Sequence, residues 1–182
     1  MDTKAQTPKT DAHHHKSLAF VDYIINRCQA DNGLRAALKR ADNPATEYQS
    51  WEVLAGFKVD LEYENQRLPY AIIAAAIARA KVERNGSVRI GRAIASCYED
   101  GNISDQAKAK LRRLLACDSV PEACRILRPL FSLIEARSNI ALDYASLLDD
   151  LLWFGHDASQ LRIKARWAQD FYGKPAEESK DA

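Results

Sequence analysis

The segment RNGSVRIGRAIA, residues 84–95, places Arg84, Arg89 and Arg92 within nine positions, interleaved with Val88, Ile90, Ala93 and Ile94. A guanidinium is a planar fork of donors that grips a phosphate or a carboxylate with two parallel bonds, so the chemistry on offer is anion recognition. The chain carries more of it. Arg35, Lys39 and Arg40 form one basic cluster, and residues 79–92 hold Arg79, Lys81, Arg84, Arg89 and Arg92 against Glu83. Residues 108–128 hold Lys108, Lys110, Arg112, Arg113, Arg125 and Arg128 against Asp118 and Glu122. The acids sit elsewhere. Glu47, Glu52, Asp60, Glu62 and Glu64 face only Lys58 in residues 47–64, and residues 141–160 carry Asp143, Asp149, Asp150 and Asp157 with no lysine or arginine. A formal net charge of +1 therefore conceals a segregated distribution, which can present a positive face to a phosphate backbone. An acidic protein partner is served equally well, and charge alone leaves both open.

Other chemistries lack their residues. Asp149 and Asp150 are adjacent on a helical pattern and point about 100° apart. Asp143 and Asp150 share a face, but no histidine, lysine or third carboxylate completes a metal site, and a nuclease needs several carboxylates converging on metal ions. No phosphate-cradling glycine loop, H-E-x-x-H or G-x-S-x-G occurs. Cys28, Cys97, Cys117 and Cys124 follow no zinc spacing, and Cys28 and Cys124 read as core residues. His13, His14 and His15 fall in a polar leader, and His156 falls in a turn beside a cap. Trp51, Trp153 and Trp167 are expected in the core and not stacked on bases. The expectation is a protein without catalytic activity, cofactor or metal.

The elements that must position these residues are helical. A chain of 182 residues, 47% hydrophobic and 28% charged, forms one domain or two small ones. Leu68 to Ala78, the longest nearly uncharged stretch, is too short to span a bilayer, and no secretory h-region opens the chain, so a cytoplasmic protein is expected. Leu18, Val21, Ile24, Ile25 and Cys28 make a helical stripe after Ser17, an expected N-cap. The spacing then predicts a short basic helix over 34–41, one carrying Tyr48, Trp51 and Leu54, and a loop or fragmentary helix over 56–67. A helix from Pro69 to about Arg84 follows, then helices over about 88–98 and 104–117. Ser119 and Glu122 form a capping-box signature ahead of a helix to about Arg137, which Pro129 is expected to kink or split. Leu142 to Phe154 is strongly apolar, and Asp157 with Gln160 resembles a cap for a last helix through Tyr172. The fold class is all-α, read as two small packed bundles at 17–98 and 99–173, between a disordered leader (1–16) and a disordered tail (174–182).

Taken in order, these residues resemble the CasB family, the small subunit of the type I-E CRISPR surveillance complex called Cascade. ADNGLRAALKRADNP is similar to the family's D-x-G-x-x-A-x-L-R-R signature, with Lys39 and Arg40 in the paired basic positions. IGRAIA is similar to its G-R-A-L-A segment, and LRRLLACDSVPEACRILRPLFSLI with ALDYASLLDDLLWFG resembles its later helices. The likeness spans roughly residues 18–172. Pro129 departs from it, standing where the family often has a second arginine.

The resemblance implies a helical, non-catalytic subunit present in two copies. Its partners would be CasA, CasC, CasD and CasE, the guide RNA, and the target and non-target DNA strands, with no membrane. It would stabilise the R-loop and the displaced strand through basic surfaces, while base pairing reads sequence. Lys39, Arg40, Arg92, Arg112, Arg113 and Arg128 carry over from the motifs; Arg35, Arg79, Arg89 and Arg125 join them on charge pattern. A salt bridge to the acidic helix within 141–160 is the alternative use of each. The rival function is a helical adaptor whose basic face docks an acidic partner.

Overall fold

A computed structural model describes residues 8–173, with side chains from His13 onward. Among the described residues the chain is helical without named strands: α1 (Pro8–Ala30), α2 (Asn32–Leu38), α3 (Trp51–Gly56), α4 (Glu64–Ala80), α5 (Ile90–Ser96), α6 (Asp105–Leu115), α7 (Val120–Arg137), α8 (Tyr144–Phe154) and α9 (Asp157–Tyr172). Short 3-10 turns at Glu47–Ser50 and Gly101–Ile103 lead into α3 and α6. The all-α expectation holds.

The axis of the molecule is α4. Every residue from Pro69 to Ala78 is buried, and a helix apolar on all sides must be enclosed by others. It packs against α1, α7 and α8, while α1 lies on α8 and α5 on α9. Buried residues from both halves of the chain form one core cluster. Around this axis the outer helices are amphipathic. In α6, Ala107, Leu111 and Leu114 face inward at helical spacing and leave Arg112 and Arg113 to solvent.

Several helix ends differ from the sequence expectation, each for a physical reason. Helix α1 starts at Pro8, inside the stretch 1–16 expected to be disordered; residues 1–7 and 174–182 lie outside the described residues. Ser17 is therefore no N-cap. Its hydroxyl donates to Asp149 Oδ1 of α8 at 2.5 Å, and His14 Nδ1 sits 2.7 Å from the other carboxylate oxygen, so tertiary partners hold these turns. Helix α4 begins at Glu64, ahead of Pro69, which sits in its second turn. Helix α7 runs unbroken through Pro129. Pro129 and Arg125 both lie on the exposed face of α7, where the carbonyl freed by the missing N–H is open to solvent and need not be left buried without a partner. Ser119 does cap α7, accepting from the Glu122 N–H at 3.3 Å, while the Glu122 carboxylate reaches back to the Asp118 N–H. Asp157 does not cap α9; His156 holds that position without a side-chain bond, and Gln160 donates to the Asp118 and Phe154 carbonyls.

Two glycines permit close packing around the opening segment. A Cβ on Gly91 would lie 2.1 Å from the Trp167 carbonyl oxygen, so the backbone of α5 rests directly on that of α9. At Gly86 the chain passes just as close to Ala141, and an isolated bridge joins Val88 to Leu142.

Candidate nucleic-acid interface

The ten basic residues fall into three neighbourhoods. The first surrounds Asp42, on the turn that follows α2. Its side chain is 3% exposed, and its Oδ2 lies 2.6 Å from Arg79 Nη1 and 3.4 Å from Arg128 Nε. One acid thus ties the end of α4 to the middle of α7, beside Lys39 and Arg40. Arg79 also donates to the Lys39 carbonyl at 3.4 Å. Arg35 precedes this turn on α2, and Arg125 stands one helical turn before Arg128, paired with Glu122 at 3.6 Å.

The second neighbourhood is the join of α5 and α9. Arg89 lies 3.9 Å from Asp170, and Arg92 donates to the Gly173 carbonyl at 2.8 Å, closing the C-terminal end of α9 where carbonyls lack helical partners. Burial pushes the Asp170 carboxyl up from its ordinary range, while Arg89, Arg166 and Arg92 pull it back. The third is α6, where Arg112 and Arg113 project into solvent in the last turn, the end that favours cations.

Among the described residues, the anticipated competitor, the acidic helix within 141–160, takes none of Arg35, Lys39, Arg40, Arg79, Arg89, Arg112, Arg113, Arg125 and Arg128 in a salt bridge. The acids on those arginines are Asp42, Asp170 and Glu122. Asp143 caps α8 and accepts from Asn85 and Ser146; burial opposes ionisation there, but these hydrogen bonds hold its carboxyl below the usual range. Asp149 is taken by His14 and Ser17. Asp150 accepts from Arg166 and from the Trp167 indole N–H at 2.7 Å. Burial nevertheless pushes the Asp150 carboxyl up to about 6, against the pull of Arg166 and Trp167. Among the described residues, Arg35, Lys39, Arg40, Arg112 and Arg113 have no carboxylate within 4.0 Å.

The structure adds residues the sequence reading passed over. Arg162 and Arg166, four apart on α9, are both exposed beside the buried Ile163 and Trp167, and Arg166 shares the Asp150 carboxylate with the Trp167 indole. Their i, i+4 spacing was visible in LRIKAR. Trp153 and Trp51 are 40% and 41% exposed, against the expectation of core packing, whereas Trp167 is 1% exposed and stacks on Phe154. All four cysteines are free and buried, and burial raises each thiol pKa, which keeps them as unreactive thiols. Among the described residues no group of three or more His, Cys, Asp or Glu is placed to hold a metal ion. No helix there is long and apolar enough to cross a membrane.

Comparison with known proteins gives the family. The family of the CRISPR-associated protein Cse2 matches residues 34–172. A CRISPR-associated protein Cse2 of Thermus thermophilus is 32% identical over 117 residues, which are 63% of this chain and 62% of that relative's length. The crystal structure of a Cse2-family protein from Thermus thermophilus superposes with a TM-score of 0.66 at 25% identity, covering 87% of this chain and 98% of that one. CasB of M. ruber gives a TM-score of 0.68 at 24% identity, over 86% of this chain and 92% of its own. A chain of a CRISPR RNA-guided surveillance complex shares the fold at 22% identity, with a TM-score of 0.66, over 87% of this chain and 92% of its own. With the family matched across most of the described helices, the chain belongs to the Cse2 (CasB) family of CRISPR-associated proteins.

Proposed function

We propose that this chain is a non-catalytic subunit of a type I-E surveillance complex that stabilises the R-loop through backbone contacts. The observation that carries this is the set of exposed cations that have no carboxylate partner among the described residues, Arg40 on the turn after α2 and Arg112 and Arg113 on α6, on a chain of the Cse2 family. Cations that no internal acid neutralises are available to phosphates, and each phosphate they neutralise releases a counterion condensed on the nucleic acid. The partners are CasA, CasC, CasD and CasE, the guide RNA, both DNA strands and a second copy of the chain, in the cytoplasm. Sequence is read by guide pairing, so the protein's share is charge and shape.

The test uses the assembled complex and a supercoiled target. An Arg40→Ala/Arg112→Ala/Arg113→Ala variant should assemble normally, bind target more weakly irrespective of sequence, and flatten the dependence of log affinity on log salt by about 2, at about 0.7 per contact to a single strand. Assembly with wild-type affinity and wild-type salt slope refutes the reading. Binding of an acidic polypeptide by the same three residues would favour the adaptor.

A further inference from the structure

Beside the basic surfaces already described, α1, α8 and α9 enclose a cleft of about 480 Å³, within the range of small-ligand pockets. Arg89, Arg162 and Arg166 line it, together with His13, His14 and Trp153. Its two carboxylates are already engaged. Asp149 is held by His14 and Ser17, and Asp150 by Arg166 and Trp167. The cationic donors are not used up to the same extent. Arg162 is exposed without a carboxylate within 4.0 Å among the described residues, and Arg89 reaches Asp170 only at 3.9 Å. Trp153 forms the rim. Its ring touches two imidazoles, His13 edge-on at 5.2 Å and His156 tilted at 5.1 Å, and stays 40% exposed on a helix whose neighbouring Leu151 and Phe154 are buried.

Trp153 and His13 also wall a second cavity of about 270 Å³ on the side of α4, lined by Tyr63, Asn65 and Gln66. Gln66 accepts the Asp60 N–H with its carbonyl oxygen, which leaves its amide N–H₂ available. The two cavities thus put arginine forks on one side of an exposed indole and side-chain amides on the other. An aromatic ring for stacking, guanidinium for phosphate and amides for a base edge are the three elements by which proteins hold an unpaired nucleotide.

We propose that Trp153 and Arg162 form a site for one unpaired nucleotide of a single strand, the base stacked on Trp153 and its phosphate on Arg162 and Arg89. The site rests on the nucleic-acid reading above and deepens it: the chain takes hold of a base as well as of the backbone.

The experiment measures binding of the full chain to a labelled mixed-sequence single strand and to a matching strand of abasic units, across a salt series. Trp153→Ala should weaken binding of the intact strand by about 5- to 150-fold, the ordinary strength of a base–aromatic stack. It should leave binding of the abasic strand unchanged. Trp153→Phe, which keeps a π-face and guards against loss of fold, should restore most of the affinity. Arg162→Ala should flatten the salt slope by about 0.7 on both strands. Equal binding of the intact strand by wild type and Trp153→Ala overturns the site, and so does an equal loss on both strands. If Arg112→Ala and Arg113→Ala still weaken binding in that case, the nucleic-acid reading survives without it. A 5′-mononucleotide that binds as tightly as the strand overturns the assignment to a strand. An acidic polypeptide with the same dependence on Trp153 and Arg162 overturns the nucleotide itself. Absence of any strand binding by the wild-type chain at low salt also removes the site, while the R-loop assay on the assembled complex judges the broader reading separately.

Discussion

Replacing Asp42 by alanine should damage the fold far more than replacing the exposed Arg128 that reaches it. Asp42 is 3% exposed and is the acid on which Arg79 and Arg128 converge, at 2.6 and 3.4 Å. The buried Arg79 Nη2 already lacks a hydrogen-bond partner, so loss of Asp42 strands a guanidinium that has little else to turn to. Breaking a buried ion pair from one side costs about 3–5 kcal/mol. Arg79 keeps 22% of its side-chain surface exposed, and water at that edge places the expected cost near the low end, about 3 kcal/mol. For a domain of this size that corresponds to a fall in Tm of about 6–12 °C. Arg128 is 44% exposed and more distant from the acid, so Arg128→Ala should cost no more than about 1 kcal/mol. Urea and thermal unfolding of Asp42→Ala, Arg128→Ala, Arg79→Ala and the Asp42→Ala/Arg79→Ala double variant measure each cost and the coupling between Asp42 and Arg79. The double variant should be more stable than the sum of the single losses predicts. An Asp42→Ala protein within about 1 kcal/mol of wild type, or purely additive losses, would refute the clamp.

The remaining expectations address the α5–α9 join, the buried acid of α8 and the salt response. Gly91→Ala should destabilise by about 3 kcal/mol or more, because the added Cβ meets the Trp167 backbone oxygen at 2.1 Å and only movement of α5 from α9 relieves it; an unchanged Tm would contradict that packing. Burial raises the Asp150 carboxyl to about 6, above its ordinary value near 3.8, so between about pH 4 and 6 the folded chain binds the extra proton. Stability therefore falls as pH rises through that window, by up to about 3 kcal/mol above pH 6. Asp150→Asn should remove that part of the slope in urea unfolding measured from about pH 4 to 7.5, and parallel curves for the two proteins would count against it. Finally, if Arg35, Lys39, Arg40, Arg112 and Arg113, the five of the ten expected contacts without a carboxylate within 4.0 Å among the described residues, each meet a phosphate of a single strand, log affinity should fall with log salt at a slope of about −3.5; a slope near about −7 would mean that all ten make contact.

The helical class and the cap of α7 were legible because periodicity and capping are local; the Asp31 cap of α2 and the inward stripe of α6 obey the same local rules but were not singled out. Asp31 accepts from the Leu34 N–H at 3.0 Å, and Ser119 holds the start of α7, as such residues do at helix starts. What stayed hidden was nonlocal. Nothing between Pro8 and Lys16 announces a helix, since its turns are fixed by Asp149 and Trp153, far along the chain. The sequence shows the sign of each arginine but not its partner. Asp42, a single acid at the edge of a basic run, gave no sign of gathering Arg79 and Arg128, and the acidic stretch that looked like their natural partner is bound by His14, Ser17, Asn85, Arg166 and Trp167. Trp153 was misplaced for a related reason. Its apolar neighbours are buried, but its own ring falls on the opposite side of α8, where two histidines touch it.

Pairing decides which arginines can do the work of a nucleic-acid surface. An arginine already facing a carboxylate must surrender that contact before it gains a phosphate, so its net contribution is the difference between two similar interactions. For Arg79 the exchange is worse still, because a phosphate drawn to it would leave Asp42 buried without its nearest cation. Arg92 closes the end of α9 through the Gly173 carbonyl, and moving it would expose that helix terminus. These residues act by building the scaffold. Arg40, Arg112 and Arg113 face no such exchange, since solvent is their present partner and counterion release is their gain. A net charge of only +1 is therefore compatible with the proposed function: some of the acids neutralise arginines that hold helices together, and in that proposal the cations left without such acids among the described residues form the surface.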